Sequence, residues 1–249
     1  MEIQSDDDKR RIIRGIITNS IIDLPSSEYT PHIVEMFNPV YGWSSIFERA
    51  KLSGILTKLI FALDRTVVLA PQKEQFFEAF RRTPFDATRI VILGQDPYPG
   101  KDSKGKSYAC GASFAIDPNC SPVPPSLANI KRESNCTDDN DLMNWTKQGV
   151  FLLNASITLH DSSDTNPSIW TSLIKLILSE LAMKKKILFF LWGTQAKYFE
   201  DTIQGNGGIV LTAGHPASRN ISQNSFEGCA HFDKANAFFR TLGENTIRW

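Results

Sequence analysis

The chain has 249 residues, 41% of them hydrophobic and 22% charged, with 27 Lys plus Arg against 27 Asp plus Glu. That length suits one large α/β domain or two small ones, and the composition is that of a soluble globule with a full core. Balanced charge excludes bulk attraction to nucleic acid, so any such binding must come from a local patch.

Residues 1–42 read as an N-terminal extension. Met1–Arg10 lacks the charged-then-apolar form of a signal peptide, so the expectation is an intracellular protein that is not secreted. Asp6–Arg11 is a charge run of the solvated kind. Ile12-Ile13, Ile16-Ile17 and Ile21-Ile22 suggest a short helix or a docking segment, and Pro25, Pro31 and Pro39 interrupt the stretch up to residue 42. From Trp43 the pattern becomes regular. Helix periodicity runs through 43–49, 51–63 and 72–82, the last with Phe76, Phe77 and Phe80 as a core stripe.

Arg89–Leu93 is short, β-branched and followed by glycine, the pattern of a buried strand. Gly94-Gln95-Asp96-Pro97-Tyr98-Pro99-Gly100 cannot continue it, because the prolines lack amide donors and the glycines favour a turn. Lys101–Lys106 is a loop with three lysines, and Gly111–Ile116 is expected as a short strand. Ser121–Ser126 is a proline-stiffened loop leading into a helix over 127–133, and 135–141 is polar. Gly149–Leu153 is a second strand, ending at Asn154. The clearest helix covers 169–183, with Pro167 near its start and Lys184–Lys186 after its end, where cations complement the helix dipole. Ile187–Trp192 is a third strand, stopped by Gly193. A helix over 194–203 leads to a fourth strand, Ile209–Ala213, which stops at Gly214-His215-Pro216, and the last helix covers 231–242.

Strands that alternate with helices lie parallel, so their carboxyl ends share one rim. Asp96, Asn154 and His215 each follow such an end. In open α/β sheets ligands bind there. A carboxylate can act as a general base, an imidazole can stabilise a developing anion, and an amide can read a donor–acceptor pair. Gly94-Gln95-Asp96 lacks the glycine spacing of a dinucleotide loop, and no Ser or Cys stands in a nucleophile elbow. Cys110, Cys120, Cys136 and Cys229 have no Cys-x-x-Cys or metal-ligand spacing and read as reduced thiols. No metal and no cofactor are expected, which leaves cofactor-free hydrolysis or binding. No apolar run approaches the roughly 20 residues that span a membrane.

These motifs resemble family 1 uracil-DNA glycosylases. Gly94-Gln-Asp-Pro-Tyr-Pro99 resembles the family's water-activating segment and Gly111-Ala-Ser-Phe114 its uracil-stacking segment. Val123-Pro-Pro-Ser-Leu127 resembles its proline loop, Leu152-Leu-Asn154 its Leu-Leu-Asn segment, Leu191-Trp-Gly193 its third strand end and His215-Pro216 its His-Pro motif. Phe226–Phe232 and the closing Gly243–Trp249 also match, in order. The resemblance implies an α/β fold, a three-layer αβα sandwich around a central four-stranded parallel sheet, with residues 43–249 as the catalytic domain.

By that resemblance Asp96 activates water, His215 donates to uracil O2, and backbone amides around Gln95 help hold the same oxygen. Asn154 pairs with the base, Phe114 stacks on it, and Tyr98 fills the space of a 5-methyl group. Pro124, Pro125, Ser126, Ser218 and Arg219 contact DNA. Three positions depart from the pattern: Pro99 stands for a His, Ala217 for a Ser and Arg219 for the intercalating Leu. Pro99 and Arg219 resemble the poxvirus branch. The implied partners are uracil-containing DNA, single- or double-stranded, a replication or repair protein bound through residues 1–42, and a uracil-mimicking inhibitor protein. A competing expectation is a glycosylase fold that mainly tethers a polymerase. Lys101, Lys104, Lys106 and Arg219 are the candidate basic patch.

Overall fold

The structure, a computed structural model, describes residues 24–137, 140–161, 168–218 and 225–249. The first half contains helices α1 (Thr30–Glu35), α2 (Ser44–Leu52) and α3 (Ile55–Leu63), strand β1 (Val68–Ala70), helix α4 (Glu78–Arg82), strand β2 (Ile90–Gly94) and helix α5 (Pro125–Ser134). Then come α6 (Met143–Thr146), β3 (Val150–Asn154), β4 (Leu159–His160), α7 (Thr171–Ala182) and β5 (Leu188–Trp192). Two short helices, α8 (Thr194–Lys197) and α9 (Glu200–Gly205), precede β6 (Ile209–Ala213) and the last helix, α10 (His231–Thr241).

The four apolar runs form one parallel sheet in the order β3-β2-β5-β6. All residues of β2, β3 and β5 are buried, as strands covered on both faces must be. Side chains alternate across the sheet. Val91, Leu93, Phe151, Leu153, Phe189 and Leu191 enter one apolar cluster with α1, α2, α3, α4 and α7. Ile90, Ile92, Val150, Leu152, Leu188 and Phe190 enter the other, with α5, Trp145 of α6 and α10. The result is a three-layer αβα sandwich. The Phe76, Phe77 and Phe80 stripe is core, with Phe80 set edge-on to Phe151 at 5.2 Å.

The packed chain begins upstream of Trp43. Ile33, Val34, Met36 and Phe37 are buried in the first cluster, and Tyr29 stacks on Phe76 at 5.7 Å. Arg81 grips Glu35 of α1 through two hydrogen bonds of 2.8 Å. Residues 24–42 thus belong to the globular unit, with no break in packing at 42/43. Pro31 sits in the first turn of α1, and Pro39 opens a 3₁₀ turn, Pro39–Tyr41. Residues 1–23, with the charge run and the isoleucine pairs, lie outside the described residues.

Gly111–Ile116 is not a strand. It bends across the end of β2, where Phe114 has φ 60° and only an isolated bridge joins Ala109 to Ile116. The expected 51–63 helix starts instead at Ile55, because Gly54 at φ 74° breaks it from α2. The expected 72–82 helix is a 3₁₀ turn, Lys73–Gln75, followed by α4. Pro167, expected near the start of α7, lies outside the described residues.

Candidate active site

β2 leads outward to β3 on one side, while β5 leads to β6 on the other. A crevice must open between the carboxyl ends of β2 and β5, where the connections diverge. The candidate residues are built around it.

Gly94 ends β2 in register with Asn154 of β3. Its carbonyl accepts the Ala155 N–H at 2.9 Å, and the Gln95 carbonyl accepts the Ser156 N–H at 2.8 Å. A Cβ on Gly94 would stand 2.3 Å from Asn154 Oδ1 and 2.9 Å from Ser113 Cβ. The missing side chain lets the Asn154 amide lie across the strand end. Asp96 follows, half-buried, and burial raises its carboxyl pKa while a hydrogen bond from the Gln95 side chain opposes that shift.

Asp96, Tyr98, Phe114 and Asn154 line one small pocket, closed by Ala109–Ala112. Phe114 holds a left-handed backbone that a non-glycine residue resists by about 1–2 kcal/mol. Its surroundings hold it there. Ser113 donates its N–H to the Leu152 carbonyl at 2.9 Å and its hydroxyl to the Ile92 carbonyl at 3.1 Å. The Phe114 carbonyl accepts the Tyr98 hydroxyl at 3.2 Å, and its ring packs on Trp192 at 5.6 Å.

His215 follows β6, with its ring centroid 6.3 Å from that of Phe114. Gly193, at φ 90°, makes room for it: a Cβ there would lie 3.0 Å from His215 Cβ. The Ala217 N–H donates to His215 Nδ1 at 3.1 Å. An accepting Nδ1 puts the proton of the neutral ring on Nε2. Burial lowers the His215 pKa and so favours that neutral form. Asn129 of α5 donates to the Pro216 carbonyl at 2.7 Å and fixes the turn.

The structure thus gathers Asp96, Tyr98, Phe114 and Asn154 around one pocket, with His215 beside Phe114. Gln95 is exposed, as are Pro125 and Ser218, while Pro124 is half-buried. Ser126 is buried, its hydroxyl 2.7 Å from that of Tyr98. Arg219 lies outside the described residues. Lys101, Lys104 and Lys106 are exposed on a loop organised by Asp102, whose carboxylate accepts the N–H groups of Lys104 and Lys106 at 2.9 and 2.8 Å. A larger groove between β1 and this loop contains none of the rim residues. Sequence reasoning passed over Asn129, Ser113 and the packing partner Trp192; Ser113 and Trp192 lie inside quoted motifs, but only the fold shows what they hold. Among the described residues, no group of three or more His, Cys, Asp or Glu is arranged to hold a metal ion. No helix among them is long and apolar enough to cross a membrane.

A family model described as the uracil DNA glycosylase superfamily matches residues 80–240. The uracil-DNA glycosylase of Campylobacter curvus is 39% identical over 209 residues, covering 79% of this chain and 85% of that protein. That of Dichelobacter nodosus is 36% identical, covering 77% and 84%. Among solved structures, a mimivirus UNG variant in complex with UGI aligns with a TM-score of 0.73 at 26% identity, over 83% of this chain and 87% of that one. The mimivirus uracil-DNA glycosylase alone, at 23% identity and a TM-score of 0.67, shares the fold. With a family model over most of the chain and relatives this close over most of their own length, the chain belongs to the uracil-DNA glycosylase superfamily.

Proposed function

We propose that this protein is a uracil-DNA glycosylase of the family 1 type, with its poxvirus-like departures at Pro99 and Arg219. It hydrolyses the N-glycosidic bond of uracil in DNA and leaves an abasic site, the first step of base-excision repair. The observation that carries this reading is the single pocket shared by Asp96, Tyr98, Phe114 and Asn154, with His215 beside it.

The target nucleotide leaves the base stack to reach such a pocket. Phe114 stacks on the flipped base, and the Asn154 amide pairs with N3–H and O4. Cytosine reverses that donor–acceptor pattern and is rejected. Asp96 orients a water and accepts its proton as the water oxygen bonds to C1′. The C1′–N1 bond breaks, and its electron pair leaves with the uracil anion. His215 Nε2–H and backbone amides near Gln95 donate to O2, where the charge collects. A preorganised donor of this kind contributes roughly 3 kcal/mol. Pro124, Pro125, Ser218 and Arg219 supply contacts to the DNA backbone and the vacated stack.

The reading extends to partners. Uracil-containing DNA, single- or double-stranded, is the substrate, and an inhibitor protein like the UGI bound to the mimivirus relative would compete for the same face. A docking role for the N-terminal extension narrows to residues 1–23, since 24–42 are packed into the core. The protein works inside the cell, wherever DNA is.

The test is uracil release from a single-uracil oligonucleotide in EDTA. Wild type releases uracil, and Asp96→Asn falls by about 10²–10⁴-fold, the usual contribution of a positioned general base. Full activity in Asp96→Asn would take Asp96 out of the mechanism, whereas no release by wild type on either single or double strands would sink the assignment and leave the tethering role.

A further inference from the structure

The Ser126 hydroxyl, expected on the DNA side of the proline loop, faces inward. Ser126 is 5% exposed, and its Oγ lies 2.7 Å from the Tyr98 hydroxyl. The Tyr98 hydroxyl also donates to the Phe114 carbonyl at 3.2 Å. A phenol has one proton. With that proton on the Phe114 carbonyl, Ser126 is the donor to the Tyr98 oxygen. Burial pushes the Tyr98 pKa up to about 12, against the hydrogen bonds from Ser126 and the Leu127 backbone, so the phenol stays a donor at any working pH. Three segments meet at this oxygen: the first turn of α5, the turn after β2 and the left-handed backbone of Phe114.

Two of these side chains, Tyr98 and Phe114, are walls of the same pocket. A wall that cannot move discriminates by repulsion, because an extra substituent finds no room. A ring anchored only by its Cβ can tilt. A ring also held at its hydroxyl cannot tilt without breaking a buried hydrogen bond. We propose that Ser126 is a positioning residue for specificity: by locking Tyr98 against the Phe114 carbonyl, it sets how strictly the pocket excludes pyrimidines carrying a substituent at C5. This rests on the uracil-DNA glycosylase reading and assigns Ser126 a task inside the pocket instead of on the phosphates.

The experiment compares kcat/KM for single-stranded oligonucleotides carrying uracil or 5-bromouracil, for wild type, Ser126→Ala, Ser126→Thr and Tyr98→Phe. Each variant is divided by wild type, which cancels the intrinsic difference between the two leaving groups. Ser126→Ala raises the 5-bromouracil to uracil ratio by about three- to tenfold, the worth of one buried hydrogen bond. Tyr98→Phe does the same, the double variant adds nothing further, and Ser126→Thr, which keeps the hydroxyl, restores the ratio. A ratio unmoved by Ser126→Ala overturns the proposal. So does an equal loss on both substrates with a shallower salt dependence, the signature of a phosphate contact. Binding of free uracil and free 5-bromouracil, measured by calorimetry, reads the same ratio without turnover. A wild type that neither releases nor binds uracil overturns the glycosylase reading and the positioning role with it. A wild type that releases uracil with an unmoved ratio overturns the positioning role alone.

Discussion

In the proposed hydrolysis Asp96 has to be ionised to take a proton from water, yet its burial favours the neutral acid. The Gln95 side chain counters this by hydrogen bonding to the carboxylate. His215 has the opposite requirement. It must be neutral to donate from Nε2 while Nδ1 accepts the Ala217 N–H, and burial lowers its pKa accordingly. Raising the pH ionises Asp96 and removes any second proton from His215, so both changes favour the active form. Activity should therefore rise with pH along an acid limb, and neither group imposes a fall at higher pH. Gln95→Leu removes the bond that stabilises the carboxylate, so the Asp96 pKa rises further and the limb moves to higher pH. The check is the pH profile of kcat/KM for wild type and Gln95→Leu; an unmoved midpoint would mean that Asp96 does not define the limb. Asp96, Asn154 and His215 were legible in the sequence because each comes after an apolar run that reads as a buried strand. The inward turn of Ser126 and the hold of Asn129 on Pro216 were not. Nothing in a local run of residues says which way a side chain in the first turns of a helix faces.

At the scale of elements, β5 and α10 meet through Trp192 and His231. The Trp192 indole N–H donates to His231 Nδ1 at 3.1 Å, and His231 is 3% exposed. Burial, with a smaller push from Lys234, lowers the His231 pKa to about 4. In the unfolded chain the same imidazole takes up its proton near pH 6.5. Between those values the unfolded state binds the extra proton and the folded state does not. The contribution is therefore complete above about pH 6.5 and lost as the pH falls toward 4, reaching about 3 kcal/mol at most. In urea unfolding at pH 7.5 and 5, His231→Gln should lose less stability than wild type on acidification. Asp96 and the other titrating groups are common to both proteins and cancel in the comparison, so equal losses would refute the assignment. The Trp192 ring also supports Phe114, which ties this contact to the pocket wall. Long elements were readable from their period: all four sheet strands and α7 fall where the apolar pattern puts them, within a residue or two. The β1–β4 pair was not, since strands of three and two residues with half-exposed faces carry no period. The Gly111–Ile116 segment looked extended because its residues are small and apolar; the tertiary bonds of Ser113 bend it instead.

For the whole molecule, net charge is zero, so the DNA footprint has to be assembled from local cations. The Lys101–Ser107 loop comes directly after the turn that carries Asp96, which puts its charges close to the pocket in the chain. Its three lysines are not equivalent. Lys106 pairs with Asp117 at 2.7 Å, so its charge is already opposed. Lys101 and Lys104 are exposed and make no ion pair among the described residues. The Asp102 carboxylate, kept ionised by the N–H groups of Lys106 and Lys104, shapes the loop and presents them. Each lysine that neutralises a phosphate adds about 0.7 (single strands) to 0.9 (duplex) to the slope of log affinity against log salt. Replacing Lys101 and Lys104 together by Ala should lower that slope by about 1 to 2 and weaken binding most at low salt, whatever the DNA sequence. Lys106→Ala should change the slope less, because a lysine already paired with Asp117 neutralises no phosphate. Oligonucleotide affinity measured from about 50 to 200 mM salt distinguishes the cases. An unchanged slope in the double variant would move the footprint off this loop. An equal effect from Lys106 would mean that its pair with Asp117 opens when DNA binds. With the slope lowered and turnover at saturating DNA retained, the loop holds the strand and takes no part in the hydrolysis itself.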